Sequence, residues 1–246
     1  MPRWIAGLDG CRGAWAGVLL DLDAPERHRS ALFATVEDVV DGPEAPAVVG
    51  IDVPIGLPDR VVDKGRPADR AARLFLGSGR SSVFPVPPRV AVYAADYEEA
   101  KALSRAYSDP PFAPSIQCWN ILRSVRSVDT LLRARPGLRA RVHEVHPEVA
   151  FFRLNGDRRL QAGKKGPRRQ EGLAERRDLL IGAGLPEALV HSPPPRGVGR
   201  DDHLDAMAAL VVARDITAGR AVPLPAAIEH DAYGLPIVIW APADHS

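Results

Sequence analysis

The sequence predicts an α/β fold built on a mixed sheet, antiparallel strands first and parallel strands after them, flanked by helices. Three observations predict it. Two apolar runs, Trp4–Asp9 and Ala14–Leu20, are joined by the acid-turn sequence DGCRG, the pattern of a β-hairpin. A later run, Ala47–Val53 (AVVGIDV), is apolar almost without interruption, which suits a central parallel strand covered on both faces. Helix-like segments then follow, with one more strand-like segment between them, as expected of an α/β sheet with parallel neighbours.

In chain order, Gly10 and Gly13 bracket the first turn, and His28–Thr35 reads as a third antiparallel strand. Val36–Val40 reads as a short helical turn before the Ala47–Val53 strand. After Pro54 the character changes. Residues 54–139 hold Pro85, Pro87 and Pro88 among helix-like segments at Ala68–Leu76, Tyr97–Tyr107 and Ser115–Leu132. In the third of these, Ile121, Val125, Val128, Leu131 and Leu132 recur at helical spacing and predict a buried face. The stretch 54–139 reads as a helical, proline-rich insertion within a single domain spanning 1–246. Arg141–Val145 returns to strand character and Pro147 ends it. Helices over Arg168–Ala183 and Asp201–Thr217 follow, separated by an exposed loop holding Pro193–Pro195, and Ile237–Trp240 reads as a final edge strand. No internal repeat is apparent.

Composition excludes several classes. Of 246 residues, 46% are hydrophobic and 26% charged, ordinary globular values that argue against a disordered or coiled-coil chain. The apolar runs are broken by Gly and fall short of the roughly 20 residues of a membrane span. The opening MPRWIAGLDG lacks the basic, apolar and small-residue regions of a secretory signal. Two cysteines, Cys11 and Cys118, neither staple a fold of this size nor make a zinc cage. The expectation is a reduced, cytoplasmic protein without a membrane partner. With 32 basic and 31 acidic residues the net charge is +1, so no global field draws it to nucleic acid and any such affinity is local.

Acidic residues at the ends of predicted elements carry the chemistry. Asp9 closes the first strand, Asp52 lies near the end of the Ala47–Val53 strand, Glu144 lies in Arg141–Val145, and Asp202 with Asp205 opens the last helix. A buried carboxylate costs several kcal/mol unless it is partnered, and Mg²⁺ or Mn²⁺, which take oxygen ligands, relieves that cost. Asp202 and Asp205 are three apart and share a helix face. Singly, each acid has an ordinary alternative: Asp9 as a turn aspartate before Gly10, Asp201 or Asp202 as a helix cap. Together they converge carboxylates on one end of a sheet, as two-metal phosphoryl transfer requires.

The segments GLDGCRGAW (7–15), GIDVPIGLPD (50–59), GSGRSSVFPVPPR (77–89), SIQCWNI (115–121), HEVHPEVAF (143–151) and DDHLDA (201–206) together resemble a bacterial and archaeal family of predicted ribonuclease H-like nucleases, domain-of-unknown-function family 429. The resemblance runs over nearly the whole chain. It implies a ribonuclease H-like fold, with three antiparallel strands and later strands parallel to the first. It also implies that Asp9, Asp52 and either Asp202 or Asp205 are the metal-binding acids. Glu144 does not map onto that minimal set and reads as an extra ligand.

Other polar segments supply candidate contacts. Glu144, His146 and Glu148 alternate and face one side of an extended chain, so His146 can orient water, move a proton or bind metal. Arg80, Ser81 and Ser82 follow a Gly-Ser-Gly turn suited to phosphate. Arg12, in the hairpin turn, and Lys164 with Lys165, in a glycine-bounded loop, suit a polyanion backbone, as do Arg70 and Arg73. Gln117 and Trp119 suit base recognition, although Trp119 equally anchors its helix to the core. The expected activity is metal-dependent phosphodiester hydrolysis of RNA or DNA, with a homodimer left open. Two alternatives stand beside it: a non-catalytic nucleic-acid or protein binding module, and a nucleotide-dependent phosphotransferase of the actin and sugar-kinase type.

Overall fold

The computed structural model describes residues 3–244, so the first two and last two residues of the expected 1–246 domain lie outside the described residues. The chain runs through β1 (Trp4–Cys11), β2 (Ala14–Asp21), β3 (His28–Phe33), α1 (Glu37–Val40) and β4 (Val48–Asp52). Next come β5 (Val61–Val62), α2 (Pro67–Leu76), α3 (Arg89–Val92), α4 (Tyr97–Ala106), β6 (Ser108–Asp109) and α5 (Ile116–Ala134). It finishes with β7 (Val142–Glu144), α6 (Pro147–Leu154), α7 (Arg169–Gly182), α8 (Glu187–Val190), α9 (Arg200–Thr217), β8 (Val222–His230) and β9 (Pro236–Ala241).

A five-stranded mixed sheet forms the centre, in the order β3-β2-β1-β4-β7. β1 pairs antiparallel with β2 and β2 with β3, whereas β4 runs parallel to β1 and β7 parallel to β4. This mixed α/β arrangement is consistent with a ribonuclease H-like fold. The hairpin is tighter than the two bracketing glycines suggest. β1 continues through Gly10 to Cys11, and Arg12 and Gly13 alone form the turn, both with positive φ (51° and 81°), as a type I′ turn needs. Ile237–Trp240 is not an edge of this sheet. It belongs to β9, which pairs with β8 in a separate two-stranded sheet; Val145, just after β7, makes a parallel bridge to Trp240.

The chain forms two compact units. One takes the segment ending at Asp52, then Ala140–Val222 and the segment from Trp240; the other takes Val53–Arg139 and Pro223–Ile239. The proline-rich stretch 54–139 therefore lies in the second unit. Within the first unit, α9 packs across β1, β4 and β2, and α6 and α7 pack on α9. Two glycines let α9 sit this close. A Cβ on Gly7 would come within 2.0 Å of the Ala206 carbonyl oxygen, and one on Gly50 within 2.4 Å of that of Ala209. Gly7 and Gly50 are register partners in neighbouring strands, so together they form a shallow seat for the helix backbone. The apolar core builds around that seat from Ile5, Val18, Leu20, Phe151, Leu173, Leu204, Met207 and Leu210.

Candidate functional site

Side chains alternate along a strand, so the residue two places beyond each seating glycine faces the same helix. Those residues are Asp9 and Asp52, again register partners. Both β-strands thus carry the sequence Gly-x-Asp, at Gly7–Asp9 and Gly50–Asp52: the glycine admits the helix and the aspartate meets it. Asp205, on the buried side of α9, is 4% exposed, and its Oδ1 has no hydrogen-bond partner.

Electrostatics bind the three carboxylates into one group. Burial raises the Asp9 carboxyl well above the ordinary range, and the charges of Asp52 and Asp205 and a hydrogen bond with Asp52 raise it further, against the opposing pull of Lys164. Asp205 is pushed up to about 6, chiefly by burial, with Lys164 opposing. The Lys164 ammonium is the cation in this group. It donates a short hydrogen bond to Asp205 Oδ2 and lies 3.5 Å from Glu148 Oε1. Burial alone would lower Lys164, but the charges of Asp205 and Glu148 outweigh it and hold the ammonium above its usual range. Glu148 in turn takes two hydrogen bonds from Arg176 Nη2, at 3.1 and 3.3 Å. Burial would raise Glu148, yet Lys164 and Arg176 hold it below the ordinary carboxylate range.

The donor set suits a hard divalent cation: oxygen ligands only, one of them buried and unpartnered, and negative charge that one ammonium leaves uncompensated. Their present spacing does not make a cage, for no group of three His, Cys, Asp or Glu among the described residues is placed to hold a metal ion.

Several expected site residues fall elsewhere. Glu144 is the register partner of Ile51, not of Asp52, so it projects from the sheet face opposite Asp9 and Asp52. The expected alternation from Glu144 to Glu148 breaks because α6 starts at Pro147, with His146 as its N-cap. Proline is favoured at the first helical position, and the helix swings Glu148 to Lys164 while Glu144 stays on the far face. His146 lies near enough to Glu148 for its charge to act on it. Asp202 is occupied at the start of α9: its Oδ2 accepts from Gly199 N at 3.3 Å. Asp205 is therefore the last-helix acid that joins Asp9 and Asp52.

Lys164 turns to carboxylates instead of solvent, whereas Lys165 and Arg12 are exposed. Arg80, Ser81, Ser82, Gln117 and Trp119 belong to the second unit. There, Gly77–Ser82 forms a 3₁₀ turn after α2, in which Ser82 Oγ donates to the Gly79 carbonyl at 3.0 Å. Arg70 and Arg73 brace backbone carbonyls of Val62, Gly65, Arg80 and Val83. Trp119, half-buried, packs against Tyr97, ring centroids 5.9 Å apart, and Gln117 is exposed on α5.

Sequence reasoning missed Glu148 and Arg176 as site residues, together with Gly7 and Gly50. The repeated Gly-x-Asp was the available signal for the glycines, and Pro147 as a helix start was the one for Glu148.

Comparison with known proteins gives a family and no closer relative. No curated protein matches the chain, and no solved structure does. The family model described as "Protein of unknown function (DUF429)" matches residues 7–230, nearly the whole chain. The chain belongs to the DUF429 family.

Proposed function

We propose that the protein is a Mg²⁺- or Mn²⁺-dependent phosphodiesterase acting on nucleic acid. The observation that carries this reading is the convergence of Asp9, Asp52 and Asp205 on one sheet face, with the Asp9 carboxyl raised by burial and then by its neighbours, and Asp205 Oδ1 unpartnered. These three residues would hold the cation. Bound there, it supplies Lewis-acid polarisation of a phosphate and lowers the pKa of water. Asp9 and Asp52 fix the geometry from rigid strands, and Asp205 closes it from the helix. Arg176 keeps Glu148 oriented at the edge of the group. No covalent enzyme intermediate is required. The exposed Arg158, Arg159 and Lys165 on the segment around Lys164 favour a polyanionic substrate near these acids.

One observation favours a second reading, a non-catalytic binding module: an ammonium already sits on Asp205. No helix among the described residues is long and apolar enough to cross a membrane. The test is cleavage of labelled RNA, DNA, hybrid and branched substrates with Mn²⁺, by wild type and by Asp9→Asn. Metal-dependent cleavage lost in Asp9→Asn is expected. Cleavage that survives the substitution, or none on any substrate, contradicts the nuclease reading.

A further inference from the structure

Lys164 directs its ammonium onto two carboxylates set into the fold, Asp205 and Glu148, whereas Lys101 pairs with the exposed Glu98. The backbone that carries Lys164 is anchored on α7 just before the lysine. Gln161 N and Ala162 N donate to the Glu175 carboxylate at 3.0 and 3.3 Å. Ala162 O accepts from Arg176 at 3.4 Å, and the Gly163 carbonyl lies so close to α7 that a Cβ on Gly172 would come within 2.3 Å of it. Beyond Lys164, residues 165–169 are exposed, and Gly166 has φ +85°. The lysine thus stands between an anchored segment and an exposed one that leads into α7.

Glu148 offers the ammonium a second seat. Its carboxylate is fixed by Arg176, itself 2% exposed, and lies 3.5 Å from Lys164 Nζ. A short side-chain rotation therefore takes the ammonium off Asp205 without leaving it unpaired. A single ammonium on Asp205 Oδ2 leaves Asp205 Oδ1 without a hydrogen-bond partner. A divalent ion brings twice the charge to the same oxygens.

We propose that Lys164 is a tethered counter-ion that holds the Asp9, Asp52 and Asp205 group closed, and that a divalent cation enters by displacing its ammonium from Asp205 onto Glu148. The inference rests on the metal reading above and adds its gate. It also accounts for a donor set of the right chemistry whose spacing in this structure makes no cage.

Two measurements test it with Mn²⁺ as the probe. Calorimetric titration compares wild type with Lys164→Met; removing the competing cation should tighten Mn²⁺ binding at least about fivefold. Amine-reactive footprinting of the wild-type protein needs no variant. Labelling of Lys164, measured against exposed Lys165, should rise several-fold when Mn²⁺ is added. Equal or weaker binding by Lys164→Met, or unchanged Lys164 labelling with Mn²⁺ bound, overturns the displacement and leaves the metal reading standing. Absence of Mn²⁺ binding in both proteins overturns the two together. Should Lys164→Met fail to fold, the wild-type footprint decides alone.

Discussion

Both compact units bury carboxylates, and what answers their charge differs: Asp129 Oδ1 in the second unit lacks a hydrogen-bond partner as Asp205 Oδ1 does, but Asp129 Oδ2 takes two arginines and the Tyr93 hydroxyl. In the second unit, Asp69 accepts Arg66 Nε and Nη2 on one oxygen, at 3.0 and 2.7 Å, and the backbone amides of Arg66 and Val86 on the other. Asp231 is equally complete, with Tyr233 N and Leu235 N on Oδ1, and Leu57 N and Arg89 on Oδ2. In the first unit, Asp9, Asp52 and Asp205 face one another, Asp205 Oδ1 lacks a partner, and one lysine answers the charge. A buried ionic group with every lone pair answered is architecture. One left short of cations is the feature on which the proposed metal reading rests.

The contrast breaks or sharpens at four points. Asp69→Ala should cost the most, about 3–5 kcal/mol, because it strands the Arg66 guanidinium in the interior; urea unfolding measures it, and a cost typical of a surface residue would refute the structural reading of that pair. Gly50→Ala should cost about 1–3 kcal/mol by forcing α9 off its seat, and unlike Asp69→Ala it should also weaken Mn²⁺ binding.

The third point concerns pH. Asp205 titrates near 3.8 when unfolded and is pushed up to about 6 when folded. The folded state then holds the proton more tightly, so this group's contribution to metal-free stability is full below about pH 4 and lost as pH rises through about 6. Unfolding in chelator across that window should show the decline, and Asp205→Asn should flatten it; a decline unchanged in Asp205→Asn would assign it to other groups. The smallest effect belongs to Glu144→Gln, which should change Mn²⁺ affinity by less than about twofold, because Glu144 projects from the opposite sheet face. A loss as complete as that of Asp9→Asn would return Glu144 to the site.

Much of the sheet was legible in the sequence because strand signals are local. The DGCRG hairpin and the AVVGIDV run each announce a strand and place an aspartate at its end, and the spacing of Asp202 and Asp205 fixes a shared helix face. What escaped depends on partners distant in sequence. Glu144 and Glu148 look alike as alternating acids, and only the register of β7 on β4 and the helix start at Pro147 separate them. Lys164 reads as a loop cation, since its contact with Asp205 spans 41 residues. The β8–β9 pairing escaped because β8, with Pro223 and Pro225 and mostly exposed positions, lacks an apolar alternation. Asp202 and Asp205 were equivalent until the helix start claimed the first.

The most direct test of the central claim is calorimetric titration of Mn²⁺ into wild type and into the Asp9→Asn, Asp205→Asn double variant, both verified as folded by circular dichroism. Saturable binding by wild type that the double variant loses is the expected result. Binding of equal strength in both proteins, or none in wild type, would contradict a cation site built from Asp9, Asp52 and Asp205.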